Sequence, residues 1–183
     1  LVDNMKFRGR HSEVYVEGCK AVKVFKPQFK YNFWKEVRYL TILQRRGFVP
    51  KIYRYNPRDL TVEMEFVNGL KIREFVKERD FDEVVEVLKA CMDICFYLDR
   101  MRVQKGEMNR PDRHIIVSDR IVFIDFERAC ENPKPSNVTQ FLEYIMKVTD
   151  LSVEREFIYR YKRSFMIRDY NILRAMLFKP YIS

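Results

Sequence analysis

Four charged residues stand where an apolar framework does not require them. Lys23 lies mid-strand between Val22 and Val24, and Glu36 follows Phe33 by about one helical turn. Glu107 lies in a polar loop, and Asp125 ends an apolar strand. Taken singly, each has an ordinary reading, since a strand lysine or a helix glutamate usually faces water. Their order and spacing together are the signal. The residue types suit one chemistry: an ammonium that neutralises anionic oxygens, and hard carboxylate oxygens of the kind Mg²⁺ prefers.

The elements that must position these groups can be read from periodicity. Residues 14–25 predict a β-hairpin, with Val14-Tyr15-Val16 and Ala21-Val22-Lys23-Val24-Phe25 as strands and Glu17-Gly18 between them as turn chemistry. A helix over 30–46 follows, with Phe33, Val37, Leu40 and Leu43 on one face and Gly47 as its stop. Strands are expected at 51–55 and 61–67, split by Asn56-Pro57-Arg58-Asp59. After Gly69 the character changes. Val84, Leu88, Cys91, Cys95 and Leu98 predict an amphipathic helix over 81–101. Residues 102–113 are polar and irregular, and 115–117 and 121–124 read as short strands around Ser118-Asp119-Arg120. Helices fill the rest, with Val138, Phe141, Leu142 and Ile145 on one face and Phe157, Tyr161 and Phe165 on another. The break near 67–70 is the lobe boundary, which gives an α+β chain with a β-rich part at 1–66 and a helical part at 67–183.

Composition sets the outer limits. With 183 residues, 47% hydrophobic and 33% charged, the chain can bury a core, which excludes disordered and collagen-like classes. No apolar run approaches the ~18 residues of a membrane span, so no membrane partner is expected. The opening LVDNMKFRGRHSE lacks a signal-peptide apolar region, although Leu1 is not an initiator methionine. Four cysteines show no CxxC spacing; Cys91 and Cys95 share a helix face as core filling, and two histidines argue against zinc. A reducing, cytoplasmic setting is therefore expected. The net charge of +9 is concentrated in residues 1–66, which hold 14 Lys+Arg against 7 Asp+Glu. That balance suits RNA or phosphate-bearing substrates, and equally a solvated basic surface.

Several runs resemble one superfamily. Arg8-Gly9-Arg10-His11-Ser12-Glu13-Val14-Tyr15, followed by Ala21-Val22-Lys23, resembles the phosphate-covering loop and strand of protein kinases, the RIO type above all. Met64-Glu65-Phe66-Val67-Asn68-Gly69 resembles their hinge. The run from Leu98 to Glu107 is similar to the approach to the catalytic loop in the small archaeal KEOPS-complex kinases. Ile124-Asp125-Phe126-Glu127-Arg128-Ala129 resembles their Asp-Phe-Gly metal segment. The likeness covers residues 6–146 and implies a minimal bilobal serine/threonine kinase or ATPase that uses ATP with Mg²⁺ or Mn²⁺.

On that resemblance, Lys23 contacts the α- and β-phosphates and Glu36 holds its ammonium in place. Gly9 permits close backbone approach and Ser12 offers a hydroxyl to phosphate. Glu65 and Val67 hydrogen-bond adenine, while Val14, Ala21, Met64, Ile116 and Ile124 line the base site. Glu107 orients the attacking hydroxyl or water, and Asp125 holds metal. The same families imply an RNA, ribosome or tRNA-modification setting, with a hydroxyl-bearing protein or water as acceptor.

Three departures bear on activity. Glu107 replaces the catalytic aspartate; its extra methylene displaces the carboxylate by about 1 Å, a misplacement that costs on the order of 100-fold unless the backbone compensates. The second metal ligand falls on His114 by its following apolar run, or on Asp112 by count, and imidazole suits Mn²⁺ better than Mg²⁺. Glu127 replaces the glycine of Asp-Phe-Gly; its added carboxylate is expected either to bind metal or, the favoured reading, to point to solvent. These changes leave a nucleotide-binding pseudokinase scaffold as the alternative.

Overall fold

The computed structural model describes residues 5–179. The first elements in chain order are β1 (Met5–Arg8), β2 (Ser12–Glu17), β3 (Lys20–Phe25), α1 (Lys30–Leu43), β4 (Ile52–Asn56), β5 (Thr61–Glu65) and β6 (Leu70–Lys71). They are followed by α2 (Ile72–Glu78), α3 (Phe81–Arg100), β7 (Val103–Gln104), β8 (Ile115–Val117) and β9 (Ile121–Phe123). The last are β10 (Cys130–Glu131), α4 (Asn137–Val148), α5 (Arg155–Ser164) and α6 (Ile167–Phe178). The described residues form two compact units, 5–71 with 114–129, and 72–113 with 130–179. Residues 114–129, expected in the helical part, thus cluster with the β-rich one.

The first unit is built on a five-stranded antiparallel sheet in the order β1-β2-β3-β5-β4. Gly18 turns β2 into β3 at φ +60°, a conformation that costs glycine little because it has no Cβ. Pro27 opens a 3₁₀ turn that leads into α1, its ring presetting the helical φ. The expected face of α1, Phe33, Val37, Leu40 and Leu43, is buried, and Gly47 ends the run at φ +78° after a second 3₁₀ turn over Gln44–Arg46. A second sheet, in the order β6-β8-β9, completes the unit. It is fastened by the Phe123 amide, which donates to the Phe48 carbonyl at 2.7 Å.

In the second unit α3 packs on α4, burying Leu88, Cys91, Cys95 and Leu98 as the four-three spacing predicts. Burial pushes the Cys91 thiol well above its ordinary pKa, with Asp93 adding to the shift, as befits core filling. Helices α5 and α6 pack as a pair. Phe165, expected on the α5 face, instead lies just past its end at φ +51° and meets the Tyr161 ring edge-on at 5.6 Å. Among the described residues no helix is long and apolar enough to cross a membrane.

Four strands, β1, β6, β7 and β10, had no sequence expectation. All four residues of β1 are exposed, so no burial alternation betrays it; only pairing with β2 makes it a strand. The two-residue β6, β7 and β10 are too short to show any period.

Candidate functional site

Strand alternation places Ala21, Lys23 and Phe25 on the buried face of β3. Cross-strand register sets Val14 and Val62 opposite Lys23, and Met64 opposite Ala21, on the same face. Helix α1 covers it, with the Phe33 ring edge-on to Phe25 at 6.0 Å. Lys23 is only 6% exposed, and a buried unpaired ammonium costs several kcal/mol. Its Nζ therefore finds anions on three sides: Asp125 Oδ1 at 3.0 Å, Glu127 Oε2 at 3.1 Å and Glu36 Oε1 at 3.5 Å. Burial alone lowers the lysine pKa, but Glu36, Asp125 and Glu127 outweigh it and hold the ammonium well above its ordinary value. Lys23, Glu36 and Asp125, singled out in the sequence, are thus brought together within the first unit.

The β8–β9 hairpin delivers Asp125. The Ile124 amide donates to the His114 carbonyl at 2.9 Å, prolonging the hairpin by one pair beyond its strands. Asp125 then turns the chain at φ +65°, a left-handed conformation that aspartate tolerates better than most residues. Its Oδ2 faces His114 Nε2 at 3.8 Å. Ile116 pairs with Val122 across this hairpin.

Glu127 is not in solvent. It is 7% exposed, with Oε2 on Lys23 and Oε1 hydrogen-bonded to His11 Nδ1. Its carbonyl accepts from Asn32 Nδ2 at 3.1 Å. The left-handed turn at Asp125 redirects the chain, and a turn closed by the Ala129 amide on the Phe126 carbonyl follows it. Sequence periodicity cannot register such a redirection. His11, which leans on the Phe29 ring at 4.2 Å, ties the β1–β2 turn to this carboxylate and was likewise not assigned a role from sequence. Within that turn the Gly9 amide donates to the Ser12 carbonyl, and Ser12 itself is buried on the face that carries Lys23.

Three carboxylates around one ammonium leave a surplus of negative charge, which suits a divalent cation. Among the described residues no group of three or more His, Cys, Asp or Glu is arranged to hold a metal alone. Asp125 supplies one of the carboxylates that Mg²⁺ uses when substrate phosphates complete its shell, whereas the His114 imidazole beside it suits Mn²⁺ better.

At the far end of β5, the Glu65 carboxylate takes Arg120 Nη2 at 2.7 Å and the Lys51 amide at 3.1 Å. Its amide donates to Lys51 O, and the Phe66 amide to Cys19 O. Val67 is half-buried in the segment that follows. A Cβ on Gly69 would sit 2.5 Å from the Val117 carbonyl, so β8 can approach only glycine there.

Glu107 and Asp112 belong to the second unit. Gly106 and Glu107 are both left-handed, at φ +83° and +56°. The second conformation is costly for glutamate and is the kind of outlier that gathers at functional sites. The flanking segment is pinned by its backbone: Lys105 N donates to Asn137 Oδ1 at 2.9 Å and Met108 N to Gln140 Oε1 at 3.1 Å. Behind it, buried Asp99 accepts from Asn137 N, Asn137 Nδ2 and Val138 N at the start of α4, and from Tyr161 Oη at 2.7 Å. This anchor was not anticipated. Its signal was a carboxylate four residues after Cys95, on the apolar stripe of α3.

An antiparallel sheet whose buried lysine meets a helix glutamate and a post-hairpin aspartate, followed by a helical unit, is a kinase-like α+β fold. Solved structures share it. WbdD in complex with the kinase inhibitor LY294002 superposes with a TM-score of 0.67 at 15% identity, over 96% of this chain and 45% of that one. The Rio2 kinase–ADP/Mg²⁺–phosphoaspartate complex from Chaetomium thermophilum gives 0.60 at 13% identity, over 94% of this chain and 60% of that one. The chain therefore spans roughly half the length of these solved proteins. An uncharacterized protein of Methanocaldococcus jannaschii is 26% identical over 76 residues, 42% of this chain and 66% of that protein. No known family model matches the sequence.

Proposed function

We propose that the protein is an ATP-dependent phosphotransferase of the atypical RIO- or KEOPS-like serine/threonine kinase type, or an ATPase. The observation that carries this reading is Lys23 Nζ within 3.0 Å of Asp125 Oδ1, between residues 102 apart in sequence, on a buried face with Glu36. Phosphoryl transfer asks the protein chiefly for positioning and charge neutralisation. Lys23 would hold α- and β-phosphate oxygens, with Glu36 fixing the ammonium. Asp125 with His114, or with Asp112 in its place, would hold Mg²⁺ or Mn²⁺, which supplies neutralisation of phosphate charge. Glu107 would orient the acceptor hydroxyl or water and take its proton. Gly9 and Ser12 would cover the phosphates. Val14, Ala21, Met64, Ile116 and Ile124 would contact the base, with the Glu65 and Val67 backbone hydrogen-bonding its edge.

The position of Glu127 favours a second reading, a nucleotide-binding scaffold without turnover, because it adds a further carboxylate to the lysine that must engage phosphate. Phosphate release measured beside an ATP–metal thermal-shift titration separates the two. Turnover that is lost in Asp125→Ala and Lys23→Met, and higher with Mn²⁺ than with Mg²⁺, is the expected result. Stabilisation without turnover selects the scaffold. Turnover that survives Asp125→Ala ends the site assignment, and equal or lower turnover in Mn²⁺ ends the role of His114.

A further inference from the structure

From Lys26 to Arg58 the chain carries nine Lys or Arg and a single acidic residue, Glu36. That glutamate is 1% exposed and faces Lys23, so it offsets none of the surface charge. The outer face of α1 is accordingly basic, and it is also aromatic. Tyr31, Trp34, Lys35, Arg38 and Ile42 fall within about 100° of helical arc at 100° per residue, over about 16 Å of axis. Tyr31 is 72% exposed and Trp34 41%. Lys35 Nζ lies over the Tyr31 ring at 4.7 Å, and exposed Tyr55 on the edge strand β4 stands edge-on to Trp34 at 6.0 Å. Arg45 and Arg46 continue the basic surface beyond the helix.

We infer that this face binds single-stranded nucleic acid, with phosphates on the basic side chains and bases stacked on Tyr31 and Trp34. The charge alone would accept any polyanion; the interleaved rings select among them. An acidic peptide offers few planar faces to stack, and a duplex keeps its base faces inside the stack. An anionic membrane favours a continuous apolar stripe, whereas here Lys35 and Arg38 separate the rings from Ile42. Sequence-tolerant single-strand binders combine these two features, a cationic track and exposed rings. The inference is independent of any catalytic activity.

Trp34 is the only tryptophan, so its fluorescence reports stacking directly. The full chain is titrated with 12-mers of uridine and of deoxythymidine, with a matched RNA duplex and with inorganic polyphosphate, at several salt concentrations. Both single strands are expected to quench Trp34, and a tighter uridine 12-mer would identify RNA as the preferred source. With about four phosphates engaged, log K should fall against log salt with a slope near −3. Tyr31→Ala should weaken binding about fivefold or more, and Arg38→Glu with Arg45→Glu about tenfold or more, at unchanged far-UV circular dichroism. Saturating ATP should leave the quench intact, which keeps this face apart from the Lys23 cluster. Binding without quenching, equal affinity for duplex or polyphosphate, displacement by ATP, or indifference to both sets of substitutions would each overturn the proposal.

Discussion

Lys23 and Asp99 are both buried ions, one in each unit, and their surroundings differ in kind. Asp99 is met by neutral donors: two backbone amides, the Asn137 side-chain amide and the Tyr161 hydroxyl. Each of these contacts is a hydrogen bond from an uncharged donor. Lys23 is met by three carboxylates, more negative charge than one ammonium can cancel. Asp99, on which the neutral donors converge, holds α4, α5 and the segment before Glu107 in register. On the proposed reading, the carboxylates gathered at Lys23 would also serve the cation that a nucleotide brings with it. Perturbed ionisable groups occur in both settings, so the balance of partners discriminates where the mere presence of a buried charge does not.

The largest effect is expected from Asp99→Ala. It strands the Tyr161 hydroxyl and the first amides of α4, and losing a buried charged acceptor with several donors costs about 4 kcal/mol. Urea denaturation should show the midpoint falling with m unchanged. If the cost were under about 1 kcal/mol, Asp99 would not be the anchor described. Tyr161→Phe, which removes one donor to a charged group, should cost about 2 kcal/mol by the same measurement.

Lys23→Met should follow, at about 3 kcal/mol, because three carboxylates then face one another without a cation. Here the comparison sharpens. Adding Glu36→Gln and Glu127→Gln to Lys23→Met should recover most of that loss, since it removes the repulsion. No corresponding recovery is available to Asp99→Ala, whose stranded partners are neutral donors. A triple variant no more stable than Lys23→Met would mean that the carboxylates are not in excess.

Which parts were legible in the sequence follows the same division. Lys23 and Asp125 showed themselves because each breaks an apolar strand whose period is two, and the Phe33–Leu43 face showed itself because its period is near 3.6. Glu127 was misread because its direction depends on one left-handed residue, Asp125, and φ at a single position leaves no trace in a hydropathy pattern. Asp99 was visible as a charge on the apolar stripe of α3, but its partners Asn137 and Tyr161 lie 38 and 62 residues away. Spacing rules reach only one element at a time. For that reason the local frame of the site could be read, while the coupling between elements that fixes it could not.

The smallest expected effect is in pH dependence, and it tests the two ions in opposite ranges. Lys23 has a folded pKa above its unfolded value, because three carboxylates outweigh the burial that would lower it. Its contribution is fully present below about pH 10, near the unfolded lysine pKa, and is lost as pH rises through the folded one. Wild type should therefore lose more stability than Lys23→Met between pH 10 and 12. Asp99 is also raised, here because burial outweighs the hydrogen bonds from Tyr161 and Asn137 that act to lower it. A carboxyl that holds its proton more tightly when folded makes the native state gain relative to a non-titrating residue as pH falls toward 4. The stability difference between wild type and Asp99→Asn should thus widen in favour of wild type from pH 7 to pH 4. If it narrowed instead, the neutral donors would be stabilising the anion more than burial penalises it. Asp99 would then resemble an ordinary paired carboxylate, and the contrast with Lys23 would reduce to the number of charges around each.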